Sequence, residues 1–329
     1  MAAREHINEW FNGQPFMLLC ALALVVATAI GVAVGVQPVA SGSTGIFFTL
    51  QDTLIGNGVL SAAVNVLCLL AAGGIMLAMN KVFSYVRMVT RLLVSAFFLL
   101  QLAHPAGLVS FNMGTLMCLV TALAIMPLFA AYQDHHSQRS IFLIFAIAAA
   151  GSMFHCGFLI LMPAFLLGFF NMGVMNLKGV LAMLFGLITP FWIVLGLGIV
   201  APGDFRAPHL GGIWNAGWTL SEGLLLIVAG ATAVLGIVLA VMNLMTLMNY
   251  RMQTRVYNAF FVFMLVMAVI AICLDYRNTA IYLPLLNMMV AVQIAHTHTL
   301  RTSVHYRYVF MLLLACGCVA VGVAQLMMK

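Results

Sequence analysis

Apolar runs, most of them long enough to cross a membrane as a helix, follow one another from residue 16 to residue 327. No water-soluble core can hide that much continuous apolar sequence, and a run of about 20 such residues spans the hydrocarbon of a bilayer as a helix. The runs lie near 16–36, 59–79, 89–103, 113–132, 140–154, 157–171, 179–200, 221–246, 257–274, 279–295 and 308–327. Composition agrees. Apolar types fill 65% of the 329 positions and charged types 6%, where a soluble domain carries about 25% charge. The runs are continuous and do not alternate over ten residues, so the spanning element is the helix and not the strand of a barrel. The expectation is an all-α polytopic bundle of about eleven spans forming one domain, 1–329, with no internal repeat and no linker dividing it.

The stretch 140–170 decides the topology. It reads either as one long helix or as two short ones meeting at Gly151, Ser152, His155 and Gly157. With two helices, every second connection gathers Arg4, Lys81, Arg87, Arg91, Arg139, Lys178, Arg251, Arg255, Arg301 and Arg307 on one side and leaves Arg206, Arg277 and Lys329 on the other. With one helix, everything after it changes sides, which puts Arg251, Arg255, Arg301 and Arg307 on the outer side and breaks the bias. The split reading therefore predicts eleven spans, N terminus in and C terminus out. Helices this short imply tilt or burial behind neighbours, which places the pair inside the bundle.

The same charge distribution accounts for the net charge of +6. The basic residues are scattered between runs and form no stripe, which excludes a nucleic-acid partner. The first run is of full span length and is preceded by Arg4, Glu5 and Glu9, so it reads as a retained helix and not a cleaved leader. All seven cysteines sit in apolar sequence without a Cys-x-x-Cys pair and read as small buried hydrophobes.

The stretch from Asn80 to Gly198, including MNKVFSYVRMVTRLLVSAFFLLQLAHP, LFAAYQDHHSQRSIFLIFAIAAAGSMFHCGFLILMPAFLLGFF and GVLAMLFGLITPFWIVLGLGI, resembles an uncharacterised family of multi-pass inner-membrane proteins of the Bacteroidota. That resemblance implies location and topology and carries no assigned activity. A weaker likeness extends to membrane polymerases that join lipid-linked sugar repeat units. In those, a basic cytoplasmic turn leads into paired spans with a His near the outer side; here Arg139 and the His155 of AAAGSMFHCGFLILMP occupy those places. The Arg that those enzymes carry at the start of the preceding helix is Asn112 in this chain.

The connections on the outer side collect Asp52, Asp204, Arg206, His209, Trp214, Trp218, Glu222, Asp275 and Arg277. A site for a polyprenyl-diphosphate sugar needs a cation for the diphosphate, a proton acceptor for a hydroxyl and aromatic faces for sugars. Arg206, Arg277, His209, Trp214 and Trp218 are the candidate substrate-binding residues, and His155, Asp204 and Asp275 the candidate catalytic ones. The plainer reading makes the same residues ordinary polar loops with an interfacial aromatic belt. His155 stands out because an imidazole between two short apolar helices needs a partner or a wet crevice; desolvation should keep it neutral. His104, before Pro105, reads as an exposed outer turn. His296, His298 and His305 in HTHTLRTSVHYR fall in a cytoplasmic segment with no Cys or carboxylate nearby, so no metal site is expected. His135 and His136 read as loop. Pro127, Pro163, Pro190 and Pro284 fall within spans and free backbone carbonyls there.

These features point to a bacterial inner-membrane protein of envelope biogenesis that handles a lipid-linked glycan at the periplasmic face. Membrane lipid, a lipid-linked glycan and a membrane-protein partner are the expected contacts, and no cofactor is implied. Two other readings remain open: a non-catalytic membrane subunit or scaffold, and a transporter. The absence of Asp, Glu, Lys and Arg from the middle of any run counts against ion-coupled transport.

Overall fold

A backbone amide buried in hydrocarbon has no water to bond, so each apolar run must satisfy its own N–H and C=O groups, and it does so by coiling. A computed structural model describes residues 11–38, 45–48, 56–86, 90–207, 210–214, 219–247, 250–300 and 304–327. Among these, eleven α-helices follow in order: α1 (Gln14–Val34), α2 (Gly58–Phe83), α3 (Leu92–Leu102), α4 (Met113–Ala130), α5 (Gln138–Phe154), α6 (Gly157–Asn171), α7 (Leu177–Gly196), α8 (Leu220–Leu247), α9 (Met252–Leu274), α10 (Thr279–Leu300) and α11 (Val304–Met327). Eight are long and apolar enough to cross a membrane; α3, α5 and α6 are shorter. Asparagine opens three of them. Asn57 accepts from the N–H groups of Val59 and Leu60, Asn112 from Thr115 and Asn176 from Gly179, which satisfies donors that a helix start leaves free.

The helices alternate in direction. At one end, here the basal end, α1 and α3 begin together, with the Thr90 hydroxyl donating to Asn12 Oδ1 at 2.9 Å. The end of α4 meets the start of α9 there, where the Tyr257 hydroxyl donates to the Phe129 carbonyl. At the apical end the start of α2 meets that of α4, with Phe111 N–H donating to Ser61 Oγ. Gly114 of α4 lies against Ile281 of α10, and Gly322 of α11 against the Leu102 carbonyl of α3. The start of α1 and the end of α11 thus lie at opposite faces of the bundle. Lys81, Arg91, Arg139, Lys178, Arg251 and Arg255 border the basal end, whereas Arg206 and Arg277 sit apically.

The break between α5 and α6 falls at His155, in extended conformation (φ −153°, ψ 125°). The two helices fold back on each other: Phe145 stacks on Phe169, and the Gln133 N–H donates to the Met172 carbonyl at the basal end. This pair is not wholly interior. α5 packs along α7 and α6 along α9, and Leu166, Leu167 and Phe170 of α6 stay exposed, because a hairpin with two neighbours still has a free side.

The interior belongs to α3, all of whose residues are buried, and to α10, whose span is buried throughout. α10 packs against α3, α4, α8 and α9. It runs on to Leu300, so His296 and His298 lie in the bundle and not in a cytoplasmic segment. The outer faces of α1, α7, α8 and α11 expose Leu22, Trp192, Ile227 and Leu313 among many others. Such a continuous apolar surface belongs in lipid, and the chain is a multi-pass membrane protein.

Candidate functional site

At the apical end α9 stops at Asp275 and a single 3-10 turn, Tyr276–Asn278, leads into α10. That sharp reversal folds Asp275 back under the start of α10. Asp275 is 1% exposed, and its Oδ2 accepts from Asn278 Nδ2 at 2.8 Å and from the Tyr282 hydroxyl at 3.1 Å. The Gly211 backbone N–H adds a third donor. Segment 210–214 is pinned over this corner, since Tyr276 N–H donates to the Gly211 carbonyl and Ile213 N–H to that of Cys273. Burial pushes the Asp275 carboxyl above its ordinary range, opposed in part by the bonds from Asn278, Tyr282 and Gly211. A carboxylate in this setting is a better proton acceptor than one in water.

Tyr282 links this corner to the α5–α6 break. Its ring meets the His155 ring edge to face, centroids 5.7 Å apart, and its hydroxyl also reaches Cys156. The approach requires Gly157: a Cβ there would stand 2.7 Å from Tyr282 Cε1 and 2.9 Å from His155 Nδ1. His155 is 2% exposed, and its Nδ1 accepts from the Gly157 N–H at 3.0 Å. An N–H can only donate, so the neutral ring carries its proton on Nε2, a buried donor with no partner among the described residues. Burial pushes this imidazole down to about 4. The neutral ring expected from sequence is therefore the state this environment favours.

A strap of residues 45–48 closes over the break. Ile46 N–H donates to the Ser152 carbonyl, and Phe47 and Phe48 to that of Met153. Phe48 stacks on Phe154, and Phe47 packs edge to face with Phe191 and Phe205. Arg206 N–H donates to the Ile46 carbonyl, which brings its exposed side chain to the rim of the same region.

Of the residues that sequence singled out, His155 and Asp275 are brought together through Tyr282. Arg277 is fully exposed two residues beyond Asp275, its side chain running past Gly211 and within electrostatic reach of Glu222. Asp204 is exposed and occupied locally, its carboxylate accepting from the Ala201 N–H at 2.9 Å. Trp214 is exposed and lies over Gly212. Asp52, His209 and Trp218 lie outside the described residues. His104 is not an exposed turn residue: it is 8% exposed, packed on Gly107. Tyr282 and Asn278 carry the geometry and were not singled out from sequence. A Tyr seven residues and an Asn three residues after a loop Asp are the only signal, and that spacing is ordinary at the start of a helix.

Beside this corner lies a second buried polar knot. Asn65 Nδ2 donates to the carbonyls of Gly107 and Leu108, each at 3.0 Å, and its Oδ1 accepts from the Thr115 hydroxyl at 2.6 Å. Asn112 Nδ2 donates to the carbonyls of Gly107 and Ser110. These bonds fix the turn between α3 and α4, since every polar group they use would otherwise stand orphaned in an apolar setting. Comparison with known protein families, with curated proteins and with solved structures finds no match to this chain.

Proposed function

We propose that this chain is a bacterial inner-membrane protein of envelope biogenesis that crosses the bilayer eleven times, with its basal end in the cytoplasm. In this reading the apical corner handles a lipid-linked glycan at the periplasmic face. Orientation follows from the basic residues at the basal end, the side that Lys and Arg favour. The observation that carries the functional reading is the buried His155–Tyr282–Asp275 cluster lying next to the exposed cation Arg277.

Each part has a role that chemistry assigns. Asp275, with its raised proton affinity, accepts the proton of an attacking sugar hydroxyl. His155 offers its Nε2–H to an oxygen, and Tyr282 and Asn278 hold the carboxylate in place. Arg277 and Arg206 supply cations for a diphosphate, and Trp214 an exposed ring for a sugar face. The strap 45–48 and segment 210–214 cover the cluster and keep bulk water from it.

Mass spectrometry of material co-purified in mild detergent tests this. The proposal expects a polyprenyl-diphosphate-linked glycan with the native protein and its loss from Arg277→Ala. Absence of such a lipid from the native protein, or equal retention by Arg277→Ala, contradicts it.

A further inference from the structure

The basal half of α10 carries a second group of polar residues, independent of the apical corner. Asn243 Nδ2 of α8 donates to the backbone carbonyl of Gln293 at 2.9 Å and to its Oε1 at 3.0 Å. Gln293 Nε2 donates in turn to Asn258 Oδ1 of α9 at 3.1 Å, and the Thr297 hydroxyl to Asn243 Oδ1 at 2.9 Å. Asn258, Gln293 and His296 are each 0% exposed. Among the described residues, Asn258 Nδ2 and both nitrogens of His296 have no hydrogen-bond partner.

Helix geometry places those atoms on one side. Gln293 faces the seam between α8 and α9, and Thr297 turns toward α8. A turn of 3.6 residues sets Thr297 about 40° to one side of Gln293 and His296 about 60° to the other. His296 thus points to the α9 side, where Asn258 enters.

We propose that His296 and Asn258 form a binding site for a neutral ligand that presents hydroxyl groups. The side-chain oxygens of Asn243, Asn258 and Gln293 already accept hydrogen bonds, which leaves no bare oxygen cage for a cation. The hydrogen bonds of this network, among the described residues, include no Lys or Arg, so the network itself supplies no counter-charge for a buried carboxylate or phosphate. What remains is a carboxamide with N–H to donate and an imidazole with one donor and one acceptor. A hydroxyl accepts from the first and serves the second in either sense. Water and a small polyol both offer that chemistry.

The test is a double-mutant cycle on the full-length protein in detergent, reading thermal stability for His296→Phe, Asn258→Leu and both together, with native mass spectrometry and hydroxyl-radical footprinting alongside. A shared ligand predicts that His296→Phe lowers the melting temperature by about 2–4 °C and that the double variant loses less than the sum of the singles. His296→Gln, which keeps a donor and an acceptor, stays near the native protein and guards against a Phe variant that fails to fold. A retained mass that vanishes in the variants identifies a polyol. Radical oxidation of the buried His296 ring that vanishes in Asn258→Leu identifies water. Additive losses overturn the proposal, as does a melting temperature raised by His296→Phe, the result for a dry imidazole replaced by an apolar ring. Coupling with neither a retained mass nor His296 oxidation overturns it too.

Discussion

Replacing His155 separates two effects that the structure sets against each other. At neutral pH its Nδ1 is the acceptor for the Gly157 N–H, so His155→Phe orphans a buried donor and costs about 1–3 kcal/mol. In acid the sign reverses. Burial holds the folded-state imidazole at about 4 against an ordinary value of 6.5, so the unfolded chain takes up its proton first as pH falls. Stability from a neutral His is complete above the unfolded value and is lost as pH drops through the window from about 6.5 to about 4, a loss of roughly 3 kcal/mol at the lower end. The Phe variant starts lower and then declines less, so the two curves converge in acid. His155→Asn sharpens the comparison, because an Asn side chain can accept from the N–H two residues on, as in an Asx turn. It should match the native protein at pH 7 and yet show the shallower acid decline. His104, pushed down to about 4 by the same cause, leaves a residual slope in both variants. Thermal unfolding in detergent at half-unit steps between pH 4 and pH 7.5 reads all three. A Phe variant as stable as the native protein at pH 7, or an Asn variant with the full native slope, would refute the reasoning.

Three further outcomes are expected. Burial raises the Asp275 carboxyl, so the folded protein holds this proton longer than the unfolded chain; native stability should fall as pH rises from the ordinary carboxylate value of 3.8 toward the raised one, and Asp275→Asn should flatten that fall in the same unfolding series. Gly114→Ala puts a methyl 2.5 Å from the Ile281 carbonyl oxygen and 2.8 Å from its Cα; backbone cannot yield as a side chain does, so a cost of about 1–3 kcal/mol or more is expected, whereas Gly317→Ala, with nothing within 4 Å, is silent in the same assay. Arg206→Ala and Arg277→Ala should leave the yield of folded protein on size exclusion unchanged, because both side chains are exposed; loss of folded protein would make these residues structural.

Much of the architecture is readable because a helix in lipid leaves few choices. The eleven runs coincide with eleven helices, and the Gly151–Gly157 interruption was decided by the charges that follow it, not by any local signal for a turn. α10 was misjudged for a physical reason. Polar residues near the end of an apolar run ordinarily mark the membrane surface, yet Gln293, His296 and His298 are buried because four helices surround α10 on every side. His104 departs from expectation for a similar reason: a His–Pro pair reads as a turn in water, but α1 and α11 pack on this one. At the candidate site, His155 and Asp275 were legible as isolated polar residues in apolar surroundings. Their link was not, since Tyr282 sits inside an apolar run where a ring is most simply packing, and only the hairpin of α5 and α6 brings Gly157 close enough to admit it.

The central claim, an eleven-span chain with its candidate site on the outer face, is tested most directly by labelling from one side of the membrane. Single cysteines at positions 204, 277, 81 and 251 are exposed in intact cells to a membrane-impermeant maleimide, with the chain carrying its seven native cysteines as background. Labelling of 204 and 277 alone, with 81 and 251 reacting only after the cells are opened, is the predicted result. Labelling of 81 and 251 from opposite sides, or of 277 only from the cytoplasm, contradicts it.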